Sequence, residues 1–124
     1  MNITTLLNVK QIFEQVAQTK ISSKLAYKIM KFYKNIEVEE KFYNDRRMEI
    51  INTYSEKDAN GQPIISNEGI VNIIPEKIQE ANMAMWELNN MEVEVPNIKF
   101  TLAELEEVKL SVADMYALDA FIEE

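Results

Sequence analysis

The chain has 124 residues, 47% apolar and 27% charged, with two glycines, three prolines and neither histidine nor cysteine; 21 acids against 13 bases give a net charge of −8. That length suits one compact domain burying roughly 65% of its unfolded surface, so residues 1–124 are expected to form a single domain without staples. Lacking His and Cys, the chain cannot carry Ser-His-Asp or Cys-His catalysis, zinc held by imidazole or thiolate, haem held by His or Cys, cysteine-ligated iron–sulfur clusters, or disulfides.

The opening, MNITTLLNVKQIF, has no basic n-region and no long apolar run, and about 18 successive apolar residues occur nowhere. The expectation is a soluble chain, without membrane association, that no signal peptide directs to secretion. Ile3, Leu6, Leu7, Ile12, Phe13 and Val16 follow a helical period and predict a helix over 4–18. Thr19-Lys20-Ile21 then reads as a turn, and Ser22 as the N-cap of a much longer helix.

From 23 to 56 there is neither glycine nor proline, and Leu25, Ile29, Phe32, Ile36, Tyr43, Ile50 and Tyr54 recur three, four or seven residues apart, interrupted by Glu39 and Arg46. A helix of about 34 residues would be about 50 Å long, more than a core of this size covers. Part of it is expected to protrude, kink or pack on another chain. Phe42 and Tyr43, in its charged middle, are either packing residues or anchors for a second subunit.

The main break is DANGQPIISNEGIVNIIP, with Asn60-Gly61 as its strongest turn signal. Ile64-Ile65 and Ile70 to Ile74, either side of Asn67-Glu68-Gly69, predict a small hairpin or a loop. Asp58 and Asn60 do not make an EF-hand, because its spacing and closing Glu are missing. Pro75 suits the first turn of a third helix, with Glu76 and Glu80 near its positive end. On that helix Ile78, Ala81, Met85 and Leu88 form one apolar stripe, and Met83 with Trp86 a second, which is either core or a partner-facing surface.

Met91, Val93 and Val95, then Ile98, Phe100 and Leu102, alternate with polar residues and predict two half-buried strands. A tight turn at Pro96-Asn97 would set Glu94 opposite Lys99; the alternative is pairing of each strand with 64–74. Thr101-Leu-Ala-Glu104 and Ser111-Val-Ala-Asp114 are capping boxes for two short helices, the second burying Val112, Met115, Tyr116, Leu118 and Ile122. The fold class is therefore α+β, predominantly helical, with a long helix packed against shorter ones and a small antiparallel sheet.

Charge divides along the chain. Residues 1–57, the basic helical half, carry ten bases and seven acids; residues 58–124, comprising the 58–74 turn region and the 75–124 helix-strand-helix half, carry three bases and fourteen acids. Lys20, Lys24, Lys28 and Lys31 are spaced to share one helical face. It is either a solvated face or a surface for phosphate or acidic protein, but a pI near 4.6 argues against a nucleic-acid partner.

The densest carboxylates are Glu104, Glu106, Glu107, Asp114 and Asp119. Glu104 and Asp114 are explained by capping, and Glu106 and Glu107 read as solvent-facing. Two separated glycines build no phosphate cradle, and Lys57 reads as a surface residue. No catalytic, cofactor-binding or metal-binding residue is therefore assigned, and no cofactor is expected.

The segments 24-KLAYKIMK-31, 56-EKDANGQP-63 and 92-EVEVPNIKFTLAELEEVKLSVADMYALDAFIEE-124 resemble a family of small uncharacterised proteins of tailed phages and prophages. Its members share a lysine-rich helix start, a D-x-N-G turn and an ending of the type L-S-x-A-D-M-x-A-L-D. The resemblance implies a viral context, in the host cytoplasm or associated with the virion, and brings no catalytic residue with it. The expected function is a non-enzymatic interaction or assembly module that binds a phage or host protein, or itself, through Phe42, Tyr43, Met83 and Trp86. The alternative is an acidic inhibitor whose Glu92, Glu94, Glu106 and Glu107 occupy the nucleic-acid-binding surface of a host or defence enzyme.

Overall fold

The computed structural model describes residues 1–123. Among them are five α-helices: α1 (Ile3–Val16), α2 (Ser23–Tyr54), α3 (Ile78–Asn89), α4 (Leu102–Leu105) and α5 (Val112–Leu118). Strands β1 (Phe100–Thr101) and β2 (Ile122–Glu123) and 3-10 turns at Pro75–Lys77 and Asp119–Phe121 complete the regular structure. No helix of the described residues is long and apolar enough to cross a membrane. The chain divides into two compact units, Met1–Glu40 with Glu92–Glu124, and Lys41–Met91; α2 supplies residues to both.

In the first unit, Asn2 caps α1 by accepting from the Thr5 N–H at 2.9 Å. Ile3, Leu6, Val9, Ile12, Phe13 and Val16 are buried at helical spacing. Ser22 caps α2 as its sequence context suggests, its hydroxyl accepting from the Leu25 N–H at 3.2 Å, and Leu25, Ile29, Phe32 and Ile36 complete the facing stripe. The centre is aromatic. Phe13 lies 5.1 Å from Phe32 and 4.8 Å from Phe100, and Phe32 lies 5.3 Å from Phe121, ring centroid to ring centroid. Such packed or edge-on pairs add about 0.5–1.5 kcal/mol each beyond the area they bury.

The sheet differs from expectation: β1 and β2 run parallel, Phe100 beside Ile122 and Thr101 beside Glu123. Parallel pairing needs a crossover of roughly a dozen residues or more, and the chain through α4, α5 and the second 3-10 turn supplies it. Among the described residues neither pairing open to 91–102 forms, neither a hairpin across Pro96-Asn97 nor a ladder with 64–74, because both stretches pair elsewhere. Val93 donates its N–H to the Met1 carbonyl at 3.0 Å, and Glu92 bridges Asn2. Lys99 donates to the Ala120 carbonyl at 2.6 Å rather than pairing with Glu94.

Both capping boxes are present, Thr101 with Glu104 and Ser111 with Asp114. The α5 stripe is rotated from its expected phase: Leu118 and Phe121 are buried, whereas Val112 and Tyr116 are 74% and 80% exposed.

In the second unit, residues 41–54 of α2 and helix α3 form a helical hairpin. The Tyr43 hydroxyl donates to Asn89 at 2.8 Å, and the Ile74 N–H donates to the Tyr54 carbonyl at 2.9 Å. Between them the chain closes a small ring. Glu56 donates its N–H to Asn72 O, Asn72 to Ile64 O, and Ile64 to Glu56 O, at 2.8, 2.9 and 2.9 Å. Positions 56, 64 and 72 are eight residues apart, and the turns repeat with them: Gly61 donates to Asp58 O, Gly69 to Ser66 O, and Lys77 to Ile74 O. Each ring segment thus satisfies the next one's backbone, and the expected hairpin at 64–74 is one third of this arrangement, with Ile65 bridging Val71 antiparallel. Lys57 ties the ring to the end of α2, donating to the carbonyls of Asn52 and Ser55 and to the Ser55 hydroxyl. It is thus a C-terminal cap for that helix.

Candidate interaction surfaces

Helix α3 buries Ala81 and Leu88. Met83 and Trp86, three residues apart on another side, are 60% and 67% exposed. They border a shallow groove with Pro75, Ile78, Gln79 and Asn82. The second apolar stripe of this helix is therefore surface and not core. Trp86 is the chain's single tryptophan.

Phe42, 47% exposed, belongs to a different groove of about 170 Å³, walled by Phe42 and Arg46 from α2 and by Ala84, Glu87, Leu88 and Met91. The two grooves have no lining residue in common. Tyr43 is partly buried and holds Asn89, so it packs the hairpin. The four candidate interface residues thus divide into two surfaces and one internal strut.

A third apolar surface escaped the sequence reading. Leu102, Val112, Met115, Tyr116 and Ile122 line a cleft of about 290 Å³ in the first unit. An α5 stripe assigned inward concealed it.

The lysine face is only partly a face. Lys20 lies before α2 begins, and Lys24 is exposed. Lys28 is committed internally, donating to the Glu104 carboxylate at 2.7 Å and the Lys99 carbonyl at 2.8 Å, with its ammonium 5.7 Å from the Phe100 ring centre. Lys31 stands 5.4 Å from the Tyr27 ring centre. The Lys28 ammonium, helped by the Thr101 N–H, holds the Glu104 carboxyl down at about 2.

Of the acidic candidates, Glu92 takes the Met1 ammonium at 3.0 Å. Glu107, though exposed, accepts the Ser22 N–H at 2.6 Å. Glu94 and Glu106 are exposed. A cleft of about 420 Å³ beside Ile12, Val16, Lys20 and Lys109 also includes Glu107 and Asp114, whose carboxylates already accept from the Ser22 and Ser111 N–H groups. Among the described residues no group of three acidic side chains is placed to hold a metal ion.

A polar cluster between α1 and α2 was not anticipated either. Lys10 pairs with Glu40 and, at 3.3 Å, with Glu14. Burial pulls the ammonium down, and the two carboxylates outweigh it, so the group is raised. Burial likewise pushes the neighbouring Tyr33 phenol up. With Lys10 5.6 Å from the Tyr33 ring centre, the cluster is a packed ion-pair network of the first unit. No family model, curated protein or solved structure matches the chain.

Proposed function

We propose that this protein is a non-enzymatic interaction or assembly module of a tailed phage or prophage, engaging a phage or host protein through its helical surfaces in the host cytoplasm or on the virion. The observation that carries the reading is the pair Met83 and Trp86, adjacent and exposed on α3. Tryptophan and methionine are enriched at the buried centres of interfaces, and a few such anchors supply most of the binding energy. The viral context rests on the sequence resemblance.

The acidic-inhibitor reading is the weaker one, because Glu92 and Glu107 are engaged by Met1 and Ser22. The deciding experiment is affinity capture from phage-infected cells with the wild type and with Trp86→Ala and Met83→Ala. A specific protein should be retained by the wild type and weakened at least about tenfold by Trp86→Ala. Capture that ignores both variants while failing with Glu94→Gln/Glu106→Gln would favour the inhibitor instead.

A further inference from the structure

The Phe42 groove has three of the four positions of a coiled-coil hole on one helix. Ala84, Glu87 and Leu88 stand at i, i+3 and i+4 on α3, and Met91, at i+7 just past the end of the helix, lines the same groove, at the spacing that receives a knob from a facing helix. The volume, about 170 Å³, is that of one large side chain. Beside it stands Phe42, itself half-exposed. Knob and hole thus share one face, as a two-fold symmetric contact requires, since each surface must be complementary to itself.

The charges agree. Arg46 is on the α2 wall and Glu87 on the α3 wall. A two-fold axis along the groove would lay α2 of one copy antiparallel on α3 of the other and bring Phe42 over the opposite hole and Arg46 against the opposite Glu87, twice. Arg46 already gives one nitrogen to Glu49 at 3.0 Å, but a guanidinium has five N–H donors and can serve both.

The geometry points to a second copy of this chain as the occupant of the Phe42 groove, joined by reciprocal Phe42 knobs and paired Arg46–Glu87 bridges. The inference rests on the interaction-module reading and names one of its partners.

The test uses the full chain and light scattering after size exclusion. The wild type should weigh twice 14.4 kDa in the micromolar range. Arg46→Glu and Glu87→Arg should each weaken the dimer at least about tenfold, because like charges then oppose each other twice. An equimolar mixture of the two variants should recover the dimer, since every bridge is restored between unlike chains and neither chain is repaired within itself. Phe42→Ser should be monomeric with unchanged helical circular dichroism, and Trp86→Ala should dimerise normally. A monomeric wild type, single reversals that leave the dimer intact, or a mixture that stays monomeric would each overturn the inference. If the monomer still captures a protein through Trp86, the broader reading stands; if it captures none, both fall.

Discussion

Glu104 joins two helices of the first unit through a single carboxylate oxygen. One oxygen accepts from Lys28, from the Thr101 N–H and from the Thr101 hydroxyl, linking α2 to the capping box of α4. Its carboxyl, held at about 2 in the folded chain, returns to its ordinary 4.5 on unfolding. The unfolded state therefore binds the proton first as pH falls. The stabilisation is complete above about pH 5 and disappears as pH falls toward 2. Glu104→Gln should lower unfolding stability by about 2 kcal/mol at neutral pH, the worth of a charge-assisted hydrogen bond. It should also flatten the dependence between pH 5 and 2. Urea midpoints at pH 7, 4 and 2.5 measure both; equal acid slopes in wild type and variant would refute the assignment.

At the scale of elements, the eight-residue ring makes the sharpest demand on backbone conformation. Gly61 and Gly69 close its first two turns with φ of +77° and +81°, and a Cβ at either would meet nothing within 4 Å. The cost of Gly61→Ala or Gly69→Ala is thus conformational rather than steric, about 1–2 kcal/mol for a left-handed L-residue. Each should lower the unfolding free energy from urea titration by that amount, with the midpoint shifted down and the slope unchanged. Helix limits were legible in the sequence because their signals are local: Ser22, Pro75 and the two capping boxes act within a turn of themselves. Pairing was not. Val93 finds Met1 across nearly all of the intervening chain and β1 finds β2 beyond α4 and α5, and no alternation pattern names a distant partner. The ring escaped notice because its third turn ends at Lys77 where the first two end at glycine, and α5 is too short to fix the phase of its stripe. Of the candidate surface, the spacing of Met83 and Trp86 shows a second apolar stripe on α3 but leaves open whether it is core or exposed; burial of the opposite stripe at Ala81 and Leu88 decides that. Lys28 could not be separated from the lysine face without knowing that Glu104 lies beside it.

Across the whole molecule, buried apolar residues are unevenly distributed between the units. The first holds the four-phenylalanine centre and most of the buried side chains, whereas the second buries only Ile50, Ser55, Ala81 and Leu88 among its described residues. Local opening energies follow burial, and binding elements tend to come from the less stable end of that range. Amides of α1 and of residues 25–36 should therefore exchange at least about tenfold more slowly than those of 43–54 and α3 at low protein concentration. Uniform protection would contradict this. The proposed self-association would change the expectation in one unit only: a dimer that forms only from the folded groove stabilises it by mass action. Raising the concentration should slow exchange in residues 43–54 and α3 while α1 stays unchanged, and Arg46→Glu should abolish the effect. Concentration-dependent protection in α5 instead would move the contact to the cleft beside Val112 and Tyr116.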